Sequence, residues 1–182
     1  NASSIDFYYL NASAPGWTSG GSITVRSPDM RVDHIVADTS NCWYPGGPIR
    51  IETDSVERVG YVSTCGSPWG PVNFTLNNAT LIPPAYTRAG VVNFSLTAPL
   101  ASLVMPSGRQ LYAYTNFDVD VVSPDFFDFF VQSGGVLHFG SWKGGLPLEA
   151  RSVVVDGSLS NGSLSIVSPD VRVNGSLSAT SL

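Results

Sequence analysis

The sequence has few charged residues and almost no lysine. Asp, Glu, Lys and Arg together make up 13% of the 182 residues, and lysine occurs once, at Lys143. The formal net charge is −5, and the nine Lys and Arg residues are scattered singly along the chain. Because nucleic acids and anionic lipids are bound through clustered basic side chains, the sequence predicts that neither is a partner.

The sequence also lacks a long apolar run at helical spacing. Eighteen Gly and thirteen Pro interrupt the chain every few residues, so no segment predicts a long helix. Residues 89–108 carry no charge, but Asn93 and Ser95 alternate there with Val92 and Phe94. This alternation is typical of a half-buried strand, and we therefore expect no membrane span.

Alternation of apolar and polar residues recurs along the whole chain. It is present in Ile5/Phe7/Tyr9, Ile23/Val25, Val72/Phe74/Leu76, Val92/Phe94/Leu96, Val119/Val121, Leu164/Ile166 and Val171/Val173. The pattern predicts an all-β domain over residues 15–182, in the form of an antiparallel β-sandwich or jelly roll of about ten strands. A β-solenoid is the alternative, above all for residues 151–182, where short similar phrases follow one another.

Two kinds of turn signal support the antiparallel prediction. Asp156-Gly157 and Asn174-Gly175 favour the positive φ values of a type I′ hairpin turn. Ser-Pro-Asp occurs at 27–29, 123–125 and 168–170, each time between strand-like segments. Proline at the second position and aspartate at the third favour a type I turn, so we expect a chain reversal at each copy.

Cysteine is scarce, with only Cys42 and Cys65 present. Both lie in turn-rich surroundings, and we expect them to form one disulfide, with two unpaired thiols as the alternative. In an exported protein, closing this loop would contribute about 3 kcal/mol to stability. Two cysteines and a distant histidine do not supply the four ligands of a structural zinc site.

Seven of the ten asparagines stand in the sequon Asn-X-Ser/Thr. They are Asn1, Asn11, Asn73, Asn78, Asn93, Asn161 and Asn174. This excess predicts an N-glycosylated protein that is secreted or displayed at the cell surface, with its acceptor asparagines on loops and solvent-exposed faces. A Ser/Thr-rich strand surface would produce some of these sequons without any glycan.

The densest acidic segment surrounds Asp118, Asp120 and Asp125. On a strand, Asp118 and Asp120 would project from one face, about 7 Å apart, while Val119 faces the core. A solvent-exposed strand face explains this arrangement most simply. The functional alternatives are a calcium site formed by the three carboxylates and a paired-carboxylate hydrolase site.

Other signals of catalysis are weak. His34 and His138 are the only histidines, both lie in apolar strand-like contexts, and no Gly-X-Ser-X-Gly elbow accompanies them. We therefore expect no enzymatic activity. Four tryptophans lie in Gly/Pro-rich segments: Trp17, Trp43, Trp69 and Trp142. Exposed, they would form platforms for sugars in an adhesin or lectin-like module; buried, they would close the ends of the fold.

Residues 1–14 form a separate segment, in which a strand precedes a sequon and the breaker Ala14-Pro15-Gly16. The strand consists of Ser4, Ile5, Asp6, Phe7, Tyr8, Tyr9 and Leu10. A detached terminal strand can complete the open sheet of a neighbouring subunit. In this plan the chain resembles the glycosylated all-β subunits of archaeal and bacterial surface filaments assembled by donor-strand exchange. Pairing of the strand within its own domain is the alternative.

The resemblance implies a structural extracellular glycoprotein that forms a filament, sheath or surface layer by associating with copies of itself. A carbohydrate-binding adhesin or lectin-like module is the second hypothesis. A secreted hydrolase is the third. No cofactor is expected, apart from the calcium ion considered at the acidic segment.

Overall fold

The chain folds into a parallel β-solenoid. The computed structural model describes residues 4–15, 18–39 and 43–181. Its strands are parallel in every pairing. The prediction of an all-β protein is confirmed, but the antiparallel sandwich or jelly roll is wrong. Alternation with a period of two buries one side of any strand, parallel or antiparallel, so the pattern did not distinguish the two.

The structure contains eighteen strands and two short 3₁₀ turns in its described residues. In chain order they are β1 (Ser4–Asn11), β2 (Ile23–Arg26), β3 (Asp29–Val36), β4 (Ile49–Thr53), β5 (Val59–Ser63), β6 (Pro71–Leu76), β7 (Thr80–Leu81), β8 (Tyr86–Leu96), β9 (Ala101–Met105), β10 (Gln110–Asp120), η1 (Pro124–Phe126), β11 (Phe127–Val131), β12 (Val136–Trp142), η2 (Lys143–Gly145), β13 (Leu148–Glu149), β14 (Ser152–Val155), β15 (Ser158–Ser163), β16 (Ile166–Val167), β17 (Asp170–Val173) and β18 (Ser176–Ser181).

The strands stack into three faces. The first face has the order β1-β3-β5-β8-β10-β12-β15-β18, and the third has the order β17-β14-β11-β9-β7. The second face stacks β2, β4 and β6 against the later halves of β8 and β10. One coil takes roughly 18 to 27 residues, as in other stacked-repeat proteins. Strands β13 and β16 form a separate parallel pair.

The core is built from ladders of inward-facing side chains. On the second face, Ile51, Phe74 and Phe94 are register partners in successive coils, and each is at most 1% exposed. The rings of Phe74 and Phe94 stack with centroids 4.6 Å apart. Because equivalent residues of parallel coils lie directly above one another, each coil buries the apolar residues of its neighbours.

The turn signals belong to corners of the solenoid. Each Ser-Pro-Asp connects strands that belong to two different stacks, namely β2 to β3, β10 to β11 and β16 to β17. These strands run parallel to their partners, so the predicted chain reversal is wrong. Ser27 and Ser168 close their corners by donating from Oγ to the main-chain oxygens of Asp29 and Asp170. A proline-bearing turn redirects the chain equally well into a corner or a reversal.

The Asp-Gly and Asn-Gly signals have a different cause from the one predicted. Neither Gly157 nor Gly175 adopts a positive φ, so neither forms a type I′ turn. A Cβ on Gly157 would lie 2.5 Å from the carbonyl oxygen of Gly135, and one on Gly175 would lie 2.5 Å from that of Asp156. Glycine is required at these corners because neighbouring coils approach each other by their backbones.

The N-terminal strand lies within this fold. β1 pairs in parallel with β3 of the same chain, with Ser4 beside Asp29 and Asn11 beside Val36. It is the outermost strand of the first face. The donor-strand role of these residues stays a prediction. No helix in the described part of the chain is long and apolar enough to cross a membrane.

Candidate functional site

A row of outward-facing aromatic rings crosses the first face. We call it the aromatic stripe, and it consists of Tyr9, His34, Tyr61, Tyr86, Tyr112, Tyr114 and His138, with Trp69 at its margin. Centroid separations along it are 5.4 Å for Tyr9–His34, 5.7 Å for His34–Tyr61, 5.2 Å for Tyr61–Tyr86, 5.8 Å for Tyr86–Tyr112 and 6.0 Å for Tyr112–His138.

The register of the strands aligns these rings. Tyr9, His34, Tyr61 and Tyr86 are partners in four successive strands. Tyr112 is the partner of Arg88, two residues beyond Tyr86, so the stripe shifts along the strand by two residues at this coil. The residue that follows each ring is buried or partly buried against the core, because side chains alternate between the two sides of a strand. These residues are Leu10, Ile35, Val62, Thr87 and Ala113.

The rings of the stripe stack on or tilt against their neighbours. The rings of Tyr61 and Tyr86 are nearly parallel, with an interplanar angle of 3°, and stack on each other. Tyr9 and Tyr114 remain 48% and 41% exposed. Aromatic pairs between neighbouring coils stabilise their packing by about 0.5 to 1.5 kcal/mol each. A row of such pairs also forms a regular outer surface of aromatic rings and phenolic hydroxyls.

A groove of about 560 Å³ adjoins the N-terminal half of the stripe. Its walls include Tyr9, Asn11, Asp38, Tyr61, Ser63 and Arg88. The groove therefore combines two rings of the stripe with hydrogen-bonding groups and one charge of each sign.

The two charged groups of the groove differ in their surroundings. The guanidinium carbon of Arg88 lies 4.5 Å from the ring centroid of Trp69 and 6.0 Å from that of Tyr114. Asp38 Oδ1 accepts hydrogen bonds from Ser63 Oγ at 2.8 Å and from the backbone N–H of Cys65 at 2.5 Å. The carboxylate is thus held by hydrogen bonds, whereas the guanidinium packs against aromatic rings.

The acidic segment lies on the second face, away from the stripe. Asp118 and Asp120 flank Val119, which is 1% exposed. Asn116 Nδ2 donates to both carboxylate oxygens of Asp118 at 2.9 Å, and Lys143 Nζ lies 3.3 Å from Asp120. Burial raises the pKa of the Asp118 carboxyl, against the opposing effect of the hydrogen bond from Asn116.

The structure offers little for a calcium ion at these residues. Asp125 lies in η1 and lines a cavity with Glu149 and Arg151, whereas Asp118 and Asp120 line another with Arg50. Among residues 4–15, 18–39 and 43–181, no group of three or more His, Cys, Asp and Glu side chains could hold a metal ion.

The tryptophans occupy contrasting environments. Trp142 is 2% exposed and packs against Phe117 and Phe129 in the core, so it is not a surface platform. Trp43 is 78% exposed, and Trp69 contacts the stripe through Tyr114 at 4.7 Å. Trp17 lies outside the described residues.

The sequons fall into groups of different accessibility. Asn11, Asn78 and Asn174 are exposed, as an acceptor of a glycan must be. Asn73 and Asn93 are half-buried partners on the second face, and Asn93 Nδ2 donates to Asn73 Oδ1 at 2.8 Å. Asn1 lies outside the part of the chain that the structure describes.

Asn161 differs from the other described sequons because it is 6% exposed. It lies in β15, and its register partners are Phe139 in the preceding coil and Ala179 in the following coil. Neither its Oδ1 nor its Nδ2 has a hydrogen-bond partner in the described residues. Glycosylation of the seven sequons stays a prediction, and this side chain is the one that the folded chain makes least accessible.

The predicted disulfide also stays a prediction. Cys65 is 5% exposed and its backbone N–H is bound by Asp38, at the edge of the groove. Cys42 lies outside the described residues.

Comparison with known proteins gives no family for this chain. It matches no protein-family model, no curated protein and no solved structure. Function is therefore inferred from the geometry of the stripe and its groove.

Sequence reasoning missed the main members of the site. Tyr61, Tyr86 and Tyr112 recur roughly one coil apart, each in a strand-like context, and this repeat was the signal available in the sequence. Arg88 gave no signal by itself, since it stands alone among uncharged residues.

Proposed function

We propose that the protein binds a linear carbohydrate polymer along the aromatic stripe. The periodic row of rings beside the groove is the observation that carries the proposal. Ring centroids recur every 5.2 to 6.0 Å along it. A sugar unit in an extended chain advances by about 5 Å, close to the strand spacing of about 4.8 Å. Successive coils can therefore contact successive sugars.

The chemistry of the stripe suits a sugar chain. Tyrosine rings offer apolar contact to the C–H groups of a sugar ring, and the phenolic hydroxyls exchange hydrogen bonds with sugar hydroxyls. Asn11 adds an exposed polar side chain along the wall of the groove. Rigid strands fix these groups in position, which reduces the entropy lost when an extended ligand binds.

Affinity should depend on both ligand length and the tyrosines. We expect binding of neutral β-linked oligosaccharides, measured by isothermal titration calorimetry, to strengthen with each added sugar until the stripe is covered. Tyr61→Ala and Tyr112→Ala should each weaken binding about tenfold, which corresponds to about 1.4 kcal/mol. Tyr61→Phe keeps the ring and should lose less than Tyr61→Ala, because only hydrogen bonds of the hydroxyl are removed.

Phe126→Ala provides the matched control, since Phe126 is a 50% exposed aromatic residue outside the stripe. It should leave affinity unchanged. Unfolding curves of all variants would separate lost binding from lost structure. The proposal would be contradicted if affinity did not rise with ligand length and did not fall in the Tyr61→Ala and Tyr112→Ala variants.

A second candidate is a structural subunit that stacks end to end with copies of itself. Its support is the exposure of inward positions in the first and last coils of the described residues. Phe7 is 53% exposed although its partner Val32 is fully buried. Val171 is 47% exposed although its partner Val153 is fully buried. Head-to-tail stacking of parallel end strands would bury such residues and would form an open filament.

Sedimentation of the 182-residue chain tests this candidate. We expect the unmodified chain to form large, concentration-dependent particles, and Val171→Lys to reduce them to monomers because a charge would be buried in the stack. Val122→Lys is the control, since Val122 is 63% exposed in the turn after β10. A chain that stays monomeric at every concentration would rule out the filament.

A further inference from the structure

Arg88 is the one Lys or Arg among the described residues that line the groove, and it lies on the stripe. Its register partners are Ser63 in the preceding coil and Tyr112 in the following one. The residue is half-buried and its guanidinium stacks on Trp69. The strand and the tryptophan together hold the charge at a fixed place beside the tyrosines.

The charge of Arg88 has no carboxylate partner in the described residues. Ion pairs within 4 Å involve other cations, namely Arg26, Arg58, Lys143, Arg151 and Arg172. The Nε of Arg88 is buried and has no hydrogen-bond partner among the described side chains and backbone. A half-buried guanidinium without a counter-charge favours an anion supplied by a ligand.

Tyrosine rings lie close to the guanidinium of Arg88. Its carbon is 6.0 Å from the ring centroid of Tyr114, and the ring of its register partner Tyr112 lies 5.8 Å from that of Tyr86 and 6.3 Å from that of Tyr114. Burial raises the pKa of the Tyr86 phenol, and the nearby guanidinium lowers it. Neutral phenols are hydrogen-bond donors, so they complement the guanidinium around an anionic group.

Asp38 places a fixed negative charge in the wall of the groove. Its Oδ1 already accepts two hydrogen bonds, from Ser63 and Cys65, so the carboxylate is anchored at its own place in the groove wall. A ligand with one acidic group would therefore orient that group toward Arg88 and away from Asp38.

We infer that the Arg88 subsite selects an acidic sugar, bearing a carboxylate or a sulfate ester, within the bound polymer. This inference rests on the proposed carbohydrate binding and names its ligand class. The net charge of −5 and the absence of a basic cluster in the sequence limit the site to one acidic group at a time. Arg88 acts here as a specificity residue, because it contacts one substituent of the ligand.

Matched pairs of oligosaccharides test the inference. The first pair is an oligogalacturonate and its fully methyl-esterified form of the same length, and the second is a sulfated galactan oligosaccharide and its desulfated form. We expect the unmodified chain to prefer the acidic member of at least one pair about tenfold. The pair with the larger preference identifies the acidic group as carboxylate or sulfate.

Substitution of Arg88 should remove this preference selectively. Arg88→Gln should bind the acidic and neutral members equally, while Arg88→Lys should retain part of the preference. Arg50→Gln, at an exposed arginine of the second face, should behave as the unmodified chain. Equal binding of both members by the unmodified chain would overturn the inference and leave the proposed function intact. Binding of no oligosaccharide at all would overturn both.

Discussion

Gly157→Ala is expected to destabilise the solenoid by about 3 kcal/mol, because the added methyl group would overlap backbone atoms of the neighbouring coil. Its Cβ would overlap the carbonyl oxygen of Gln132 and lie 2.5 Å from that of Gly135. Both oxygens belong to the corner where the coils are joined by main-chain hydrogen bonds. A backbone contact cannot be relieved by a rotamer change, so the coils must separate.

Gly108→Ala is the control for this substitution. Gly108 has a φ of +79° and no other atom lies within 4 Å of its added Cβ. The variant should lose only about 1 kcal/mol, which is the cost of an alanine in the left-handed region. Urea unfolding followed by circular dichroism measures both. A Gly157→Ala variant as stable as Gly108→Ala would show that the coils are not packed as closely as described.

Asn161→Leu is expected to stabilise the protein by about 1 to 2 kcal/mol. The asparagine is 6% exposed, and both polar atoms of its amide lack partners in the described residues. Removing a buried, unsatisfied amide recovers its desolvation cost, and a leucine adds apolar contact with the neighbouring Phe139. The same burial predicts that Asn161 carries no glycan in the folded protein.

Two measurements check this pair of expectations. Unfolding midpoints should rank Asn161→Leu above the unmodified chain, while Asn174→Leu should not gain stability, because Asn174 is exposed and its amide donates to Asp156. Glycopeptide mass spectrometry of the folded protein should find Asn161 unmodified. A glycan on Asn161, or a lower midpoint for its leucine variant, would mean that the side chain is accessible.

The sequence predicted strands well because burial acts on each strand separately. Segments such as Val72 to Leu76 and Val92 to Leu96 alternate as β6 and β8 do in the structure. The preferred antiparallel pairing was wrong for β14, β15, β17 and β18, where Asp-Gly and Asn-Gly suggested hairpins, and the β-solenoid considered as the alternative for residues 151–182 is the observed fold. Glycine is selected there by contact between coils, and that contact involves residues distant in sequence.

The candidate site was less predictable than the strands. The sequence alternation predicted that Asp118 and Asp120 share one outward side of a strand. It did not indicate that Asp125 lines a different cavity. The stripe depends on the register of successive coils, and a single strand contains at most part of it. Tyr61 and Tyr86 become stacking partners only because the chain between them forms one complete coil.

The sequence by itself determined that this chain forms strands, because the period of its apolar residues and its frequent Gly and Pro leave no other regular structure. It also determined which side chains face the core in strands with strict alternation, such as β6 with its buried Val72, Phe74 and Leu76. Only the tertiary structure decided that the strands run parallel and stack as coils, because identical alternation satisfies both directions of pairing. The stacking register then placed the tyrosines and Arg88 on one surface, where residues a full coil apart become neighbours.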